Sequence, residues 1–135
     1  MDKIDIIKLA RSLIDIDSTS GQETDACKWL GNWLRGRNYQ VVEQPVSNDR
    51  FNIIATLDSS PDVVFSTHID CVPPFFASRE ENGLLYGRGA CDAKGILAAQ
   101  LAALERLRSD GEHRVALLVV VGEERGSQGA RTANT

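Results

Sequence analysis

Five side chains that could bind a cation or transfer a proton lie in three short stretches of the chain: His68 and Asp70, then Asp92, then Glu123 and Glu124. His68 and Asp70 are two residues apart, so an extended strand would place both side chains on one face. Glu123 and Glu124 are adjacent, so one could face a metal while the other faces substrate or water. Imidazole and carboxylate donors together suit zinc, or a similar divalent ion such as cobalt or manganese.

The glycine-rich stretch GRGACDAKG, at residues 87–95, has a composition that often indicates phosphate binding. A P-loop requires the order Gly-Lys-Ser/Thr, but here Lys94 precedes Gly95 and no hydroxyl follows. The dinucleotide-binding pattern would need its third glycine at Asp92. Both nucleotide-binding interpretations are therefore rejected. A carboxylate beside the predicted start of a helix is instead a suitable ligand for a cation.

Each of these residues also has an ordinary structural explanation. Taken alone, His68 would be a hydrogen-bonded core histidine, Asp92 a helix N-cap, and the glutamate pair a solvated loop. The joint pattern favours a metal site, because a sheet that buried these groups together would incur a large desolvation cost without a cation. The other histidine, His113, opens a later strand and is predicted to be an exposed loop residue without a role.

Hydrophobic periodicity predicts the elements that would position these residues. Two amphipathic helices open the chain, and a capping box from Ser20 to Glu23 introduces the second. Trp29 and Trp33 lie on its predicted core side. Three β-branched strands follow, then a hairpin with Asn82-Gly83 at its tip, a long helix, a strand apolar on both faces and a final helix. This order indicates an α/β fold, a three-layer αβα sandwich around a mixed sheet.

In such a sheet, functional residues gather outside the carboxyl ends of the strands. We therefore expect the three stretches, each placed at a strand end, to converge on one site. The pattern of the last helix stops after little more than two turns without a returning strand, so we expect truncation at the C-terminus and a longer protein beyond Thr135.

The composition is that of one soluble globular domain, with 135 residues, 42% hydrophobic and 25% charged. The formal charge is −4 with both signs interleaved, which argues against nucleic acid and anionic membranes as partners. The N-terminus lacks the apolar core of a secretion signal, and no later run approaches the roughly 20 apolar residues that span a bilayer. We expect a cytoplasmic protein.

The three cysteines, Cys27, Cys71 and Cys91, lack the paired spacings of a zinc finger or a redox dithiol and are expected to be reduced. Cys71 and Cys91 lie close enough to the proposed ligands to raise a thiolate ligand or a nucleophile as an alternative. A thiol nucleophile needs a basic partner, and His68 is already assigned to the metal, so small buried residues are the preferred interpretation. A small ligand-binding or redox domain using these two thiols stays open as an alternative.

The motifs STHIDCVP, GRGACDAKG and GEERGSQGA resemble, in order and separation, those of the M20 metallopeptidase family, and LIDIDSTSGQE near the start also fits. The family includes acetylornithine deacetylase, succinyl-diaminopimelate desuccinylase, carboxypeptidase G-type enzymes and aminoacylases. The resemblance extends over residues 1–135 and corresponds to the N-terminal portion of one catalytic domain. It implies a sandwich of the zinc-peptidase type.

The resemblance also implies a role for each residue. His68 would bind one metal ion, Asp92 would bridge two, and Glu124 would bind the second. Glu123 would be the general base that takes a proton from water, and Asp70 would orient the site beside the metals. The two divalent ions would be zinc, with cobalt or manganese as alternatives, and a cis peptide is expected just after Asp92.

The implied function is metal-dependent hydrolysis of the amide bond of N-acyl amino acids or small peptides, as in acetylornithine deacetylase. In the family, each metal takes one further ligand from later sequence, where a lid and dimerisation domain also lies. We therefore expect little activity from the isolated chain, and a homodimer of the full-length protein is left open. The alternative is a non-catalytic metal-binding or interaction module that retains the site residues.

Overall fold

The computed structural model describes residues 3–57 and 60–135, which form a four-stranded mixed sheet with packed helices and a separate two-stranded hairpin. The helices are α1 (Ile6–Ile14), α2 (Thr24–Arg35), α3 (Lys94–Ser109) and α4 (Gln128–Ala133). The strands are β1 (Gln40–Ser47), β2 (Arg50–Thr56), β3 (Val63–His68), β4 (Arg79–Glu81), β5 (Leu84–Tyr86) and β6 (Val115–Val120). The predicted α/β class is confirmed. Within the described ranges, no helix combines the length and apolar content needed to cross a bilayer.

The main sheet has the order β1-β2-β6-β3, and β6 pairs antiparallel with β2 but parallel with β3. In the parallel pair, His68 at the end of β3 is level with Val120 at the end of β6. The segments that follow these two strands therefore leave the sheet side by side. This register brings the first and the last of the three predicted motifs together.

The two faces of the sheet are covered unequally. Leu117 and Val119 of β6 are fully buried in the core cluster, which also contains residues of α1, α2 and α3. Alternation puts Leu118 on the opposite face, where the short α4 packs. On that face Leu118 is only partly buried, and Val42 and Val64 are 56% and 53% exposed. Among residues 3–57 and 60–135, α4 is thus the only helix in the second helical layer of the predicted sandwich.

The capping box predicted from Ser20 to Glu23 does not form. Glu23 occupies the N-cap position of α2, but its side chain makes no capping hydrogen bond. Glu23 is instead fully buried and accepts from Arg50 Nε at 3.0 Å and Nη2 at 2.8 Å. The Ser20 hydroxyl donates to Asp70. A buried carboxylate requires a charged partner, and this long-range requirement outweighs the local cap.

The β4–β5 hairpin, the two tryptophans of α2 and His113 were also predicted from the sequence. The β4–β5 hairpin turns at Asn82 and Gly83, whose φ angles of 52° and 76° are those of the predicted type I′ turn. Trp29 and Trp33 are only partly buried at the margin of the core, so their assignment to the core is correct in part. His113 is exposed and precedes β6, as predicted.

Candidate metal centre

The five predicted site residues lie together at the edge of the sheet where β3 and β6 end. His68 is the last residue of β3, and Asp70 follows two residues later. Glu123 and Glu124 lie in the loop of residues 121–127 between β6 and α4, the glutamate loop. Asp92 comes from the loop before α3. The expectation that Asp92 also follows a strand of this sheet is wrong, because the preceding strand, β5, belongs to the separate hairpin.

His68 lies in the middle of this group. Its Nε2 is 2.8 Å from Asp92 Oδ1 and 3.5 Å from Glu123 Oε2. One ligand atom from each of His68, Asp92 and Glu124 lies within 4.8 Å of the other two. Ligands of a tetrahedral zinc ion are roughly 3.3 Å apart, given metal–ligand bonds of about 2 Å. The three donors are therefore close enough to share one ion.

Asp70 is fully buried beside the site, and hydrogen-bond donors surround its carboxylate. It accepts from the Ser20 hydroxyl at 2.5 Å and from the backbone N–H groups of Glu123 and Glu124, each at 3.0 Å. Burial by itself would raise the pKa of Asp70. The hydrogen bonds from His68, Ser20 and the two amides outweigh burial and lower that pKa to about 2. Asp70 is thus a charged anchor that joins the end of β3 to the glutamate loop.

The imidazole of His68 is held through Nδ1, which lies 2.9 Å from the Asp70 carbonyl oxygen and 3.3 Å from Asp70 Oδ1. An N–H at Nδ1 donates to Asp70 and leaves Nε2, the atom facing Asp92 and Glu123, available to a cation. The hydrogen bond to Asp70 raises the pKa of His68 to about 9, although partial burial opposes the shift. The ring is therefore protonated at neutral pH, and a metal ion would displace the proton on Nε2.

Carboxylates crowd around the Nε2 atom of His68. Burial is the main cause that raises the pKa of Glu124, and the charges of Asp92 and Glu123 add to it. Like charges at this separation repel one another, and a divalent cation would turn that repulsion into attraction. One imidazole and several converging carboxylates therefore form a donor set that fits a divalent metal ion.

The glycines around Asp92 allow close backbone packing. A Cβ at Gly95 would lie 2.2 Å from the Ala90 carbonyl oxygen. Gly89 has a φ of 93°, and a Cβ there would lie 2.8 Å from Cys71 Sγ. These contacts explain a glycine-rich stretch without a phosphate ligand, because a larger residue at either position would push the loop out of place.

Ser20, which bonds to Asp70, and the buried Lys94, two residues after Asp92, were not identified as site residues from the sequence. Ser20 binds Asp70 across 50 positions of sequence, and its only signal was its place in the stretch resembling the family. Lys94 is 1% exposed and donates to the Ile16 carbonyl oxygen at 2.5 Å, while burial lowers its pKa. The peptide bond between Asp92 and Ala93, just before Lys94, is cis, as the resemblance implies.

The three cysteines are free thiols. Cys27 and Cys71 are buried, and burial raises the pKa of both, that of Cys27 to about 12. A raised pKa keeps a thiol protonated, so neither buried cysteine is activated as a nucleophile. The interpretation of Cys71 as a small buried residue is correct, whereas for Cys91 it is wrong, because that side chain is exposed.

Comparison with known proteins identifies relatives of this fold and site. Residues 64–133 match the family described as Peptidase family M20/M25/M40. A probable carboxypeptidase of Emericella nidulans is 38% identical over 143 residues, covering 97% of this chain and 34% of that protein. Aminopeptidase PepT from Bacillus cereus has a TM-score of 0.81 at 23% identity, covering 97% of this chain and 39% of the other. The Bacillus subtilis YXEP protein, a dinuclear metal-binding M20 peptidase, has a TM-score of 0.66 at 19% identity, covering 96% and 37%.

The chain spans about one third of the length of the curated relatives it matches. The structural likenesses confirm the predicted fold, a mixed sheet with helices as in M20 peptidase domains. The family match covers 70 of the 135 residues, and these include all three motifs recognised in the sequence from His68 to Glu124. The chain belongs to the peptidase family M20/M25/M40.

Proposed function

We propose that this chain supplies metal-binding and general-base residues of a hydrolase that cleaves amide bonds in small peptides or N-acyl amino acids. The observation that carries the proposal is the approach of ligand atoms from His68, Asp92 and Glu124, in three separate segments, to within 4.8 Å of one another. A further acid, Glu123, borders this group. Metal ligands next to a free carboxylate are the arrangement that metal-assisted hydrolysis requires.

Three residues would hold the metal. His68 would bind through Nε2, Glu124 through its carboxylate, and Asp92 through two oxygens that allow it to bridge two ions. The Bacillus subtilis relative is a dinuclear metal-binding peptidase, which supports a pair of ions. Zinc suits these donors, and cobalt or manganese would bind the same set. A bound divalent ion of this kind lowers the pKa of water and polarises a carbonyl group.

Glu123 is the general base in this proposal. Its side chain is 47% exposed, and Oε2 lies 3.5 Å from His68 Nε2, so the carboxylate faces solvent at the border of the ligands. Glu123 would take a proton from the attacking water and return it to the leaving amine. Asp70 would act by orientation, because it holds the ring of His68 and the backbone amides of Glu123 and Glu124.

The substrate would be a small peptide or an N-acyl amino acid, and a deacetylase of the acetylornithine kind is the narrower form of this proposal. The Emericella relative is named a carboxypeptidase and the Bacillus cereus protein an aminopeptidase, which supports amide hydrolysis at the end of a peptide. We assign residues 1–135 to the N-terminal portion of one catalytic domain, since the chain spans about one third of its relatives. The remaining ligands and the lid would then come from other sequence. A cytoplasmic location and a homodimer stay predictions.

Zinc titration of the metal-free chain tests the metal site. We expect uptake by the wild type, a large loss of affinity in Glu124→Gln, and retention in Glu123→Gln, which has nearly the same shape and neutral charge. Equal losses in the two variants would contradict the assigned roles, because Glu123 would then also be a ligand. No uptake by the wild type would contradict a metal site built from these residues alone.

A non-catalytic metal-binding or interaction module is the second candidate, because His68, Asp92 and Glu124 could hold an ion whether or not Glu123 acts as a base. Only the hydrolase would need Glu123, as its general base. We would join this chain to the remaining two thirds of the Emericella relative and measure hydrolysis of dipeptides and N-acetyl amino acids. Activity that is lost in Glu123→Gln supports the hydrolase. A folded, metal-loaded chimera without turnover supports the module.

A further inference from the structure

One buried side-chain amide fastens the glutamate loop to the sheet. Asn52, in β2, is fully buried. Its Oδ1 accepts from the Val121 N–H at 3.1 Å, and its Nδ2 donates to the Gly129 carbonyl oxygen at 2.9 Å and to Gln44 Oε1 at 3.0 Å. Val121 begins the glutamate loop, and Gly129 lies in the first turn of α4 just after it. A single amide group therefore joins both ends of the loop.

Asn52 acts at the point where the main sheet stops. The pairing of β2 with β6 ends at Ile53 and Val119, and β6 itself ends one residue later, at Val120. There the Val121 N–H bonds to the side chain of Asn52 in place of a backbone group of β2. The Val121 carbonyl oxygen accepts from the Gly129 N–H at 3.0 Å, which closes the base of the loop.

The junction is tightly packed as well as hydrogen-bonded. A Cβ at Gly129 would lie 2.4 Å from the Val121 carbonyl oxygen and 2.6 Å from Asn52 Oδ1. Gln128, the residue before Gly129, accepts through Oε1 from Arg50 Nη1 at 2.7 Å. The base of the loop therefore has little freedom to shift unless Asn52 moves with it.

We propose that Asn52 is a positioning residue for the metal centre: it sets the path of the glutamate loop and thereby places Glu123 and Glu124 beside His68. Asp70 binds the backbone amides of Glu123 and Glu124, so Asn52 holds the two ends of the loop and Asp70 holds its metal-facing part. Only the consequence for metal binding rests on the proposed function. The fastening of the loop does not.

A neutral amide is required at this position. The Val121 N–H needs an acceptor and the Gly129 carbonyl needs a donor, and one amide supplies both. In Asn52→Asp the shape is unchanged and the acceptor remains, but an oxygen replaces the donor to Gly129 and Gln44. Tyr39→Phe is the control, because it removes a buried hydrogen bond outside the glutamate loop, from the Tyr39 hydroxyl to Glu105 at 2.8 Å. Glu105 lies roughly 16 Å along α3 from Lys94, the first residue of that helix, so the control bond is distant from the Asp92 end of α3.

Amide hydrogen exchange followed by NMR gives the decisive reading. In Asn52→Asp, we expect the amides of Glu123 and Glu124 to exchange about tenfold faster relative to Leu117 in β6, because the loop opens without the strand. In Tyr39→Phe, loop and strand should change by the same factor. Equal acceleration of loop and strand in Asn52→Asp would overturn the inference, since that result describes a loss of global stability.

Zinc titration adds a second reading. Asn52→Asp should raise the zinc dissociation constant by about 10–100-fold, the usual effect of losing a group that orients a ligand, while Tyr39→Phe leaves it nearly unchanged. If the wild type takes up no zinc and Asn52→Asp still frees the loop selectively, the positioning of the loop stands and the proposed metal function fails.

The wild type provides a test that needs no variant to fold. If Asn52 fastens the loop, the amides of Glu123 and Glu124 should become exposed in the same opening event as the amide of Val121, which bonds to Asn52. Matching opening free energies for the three amides are the expected result. An opening at Glu123 and Glu124 that leaves Val121 protected would overturn the inference.

Discussion

The backbone N–H of Glu124 donates to the carboxylate of Asp70 at 3.0 Å, across 54 positions of sequence. The same carboxylate holds the N–H of Glu123 and lies 3.3 Å from His68 Nδ1. Asp70 is therefore in direct contact with three residues of the candidate site while being fully buried itself. These hydrogen bonds are the means by which Asp70 could orient the site, the role predicted for it.

Ser20→Ala should weaken the site through Asp70. The substitution removes the hydroxyl that donates to Asp70 at 2.5 Å, and the loss of one such bond to a charged group destabilises folding by about 1.5–3 kcal/mol. Zinc affinity measured by calorimetry should fall by about tenfold. Ser12→Ala is the control, because its hydroxyl makes an exposed bond to the Lys8 carbonyl oxygen. Similar affinities in the two variants would contradict a role for Ser20.

The stability of the metal-free protein should depend on His68 in alkaline solution. The folded pKa of about 9 exceeds the ordinary value of 6.5, so the stabilisation is complete below pH 6.5 and is lost as the pH rises through 9. The free energy of unfolding, measured in urea from pH 6 to 10, should decline in the wild type but not in His68→Gln. Parallel profiles for the two proteins would contradict the pairing with Asp70.

In acid, the protein should also lose the contribution that Asp70 makes to its folding stability. Its folded pKa of about 2 lies below the ordinary 3.8, so the stabilisation is present above pH 3.8 and is lost as the pH falls through 2. Asp70→Asn should flatten the acid limb of the unfolding free energy measured in urea between pH 2 and 5. An unchanged acid limb would assign acid unfolding to other carboxylates.

Gly95→Ala should destabilise the loop that carries Asp92. The new Cβ would lie 2.2 Å from the Ala90 carbonyl oxygen, and overpacking of this kind costs about 1–3 kcal/mol. Gly31→Ala is the control, because that helical Cβ would meet the movable Arg35 Nη1 at 3.2 Å and gains helix propensity. In urea, the free energy of unfolding of Gly95→Ala should be well below that of Gly31→Ala. The reverse order would show that the loop can relax around the new Cβ.

Alkylation should distinguish the three thiols. With iodoacetamide at pH 8, the exposed Cys91 should react in the folded protein, while Cys27 and Cys71 are protected by burial and by raised pKa values. Peptide mapping by mass spectrometry should find one adduct in buffer and three in denaturant. Rapid labelling of Cys71 in the folded protein would revive the redox alternative.

Several features of the site were predictable because they depend on residue type and local period. Donor chemistry identified His68, Asp70, Asp92, Glu123 and Glu124 as candidate site residues, and the family resemblance selected His68, Asp92 and Glu124 as the metal ligands. The apolar run of β6 predicted a strand that is apolar on both faces. The position of Asp92 at a strand end of the main sheet was predicted wrongly, since the pattern of β4 and β5 predicts a hairpin but does not reveal that this hairpin lies outside the main sheet.

By itself, the sequence determined the types of the elements and the kinds of ligand atoms, because periodicity and side-chain chemistry are local properties of the chain. Only the tertiary structure decided that Ser20 bonds to Asp70 instead of capping a helix, and that Asn52 joins both ends of the glutamate loop. The physical reason is that a buried polar group takes whichever partner the packed chain brings within reach, and those partners lie 50 to 77 positions away in sequence.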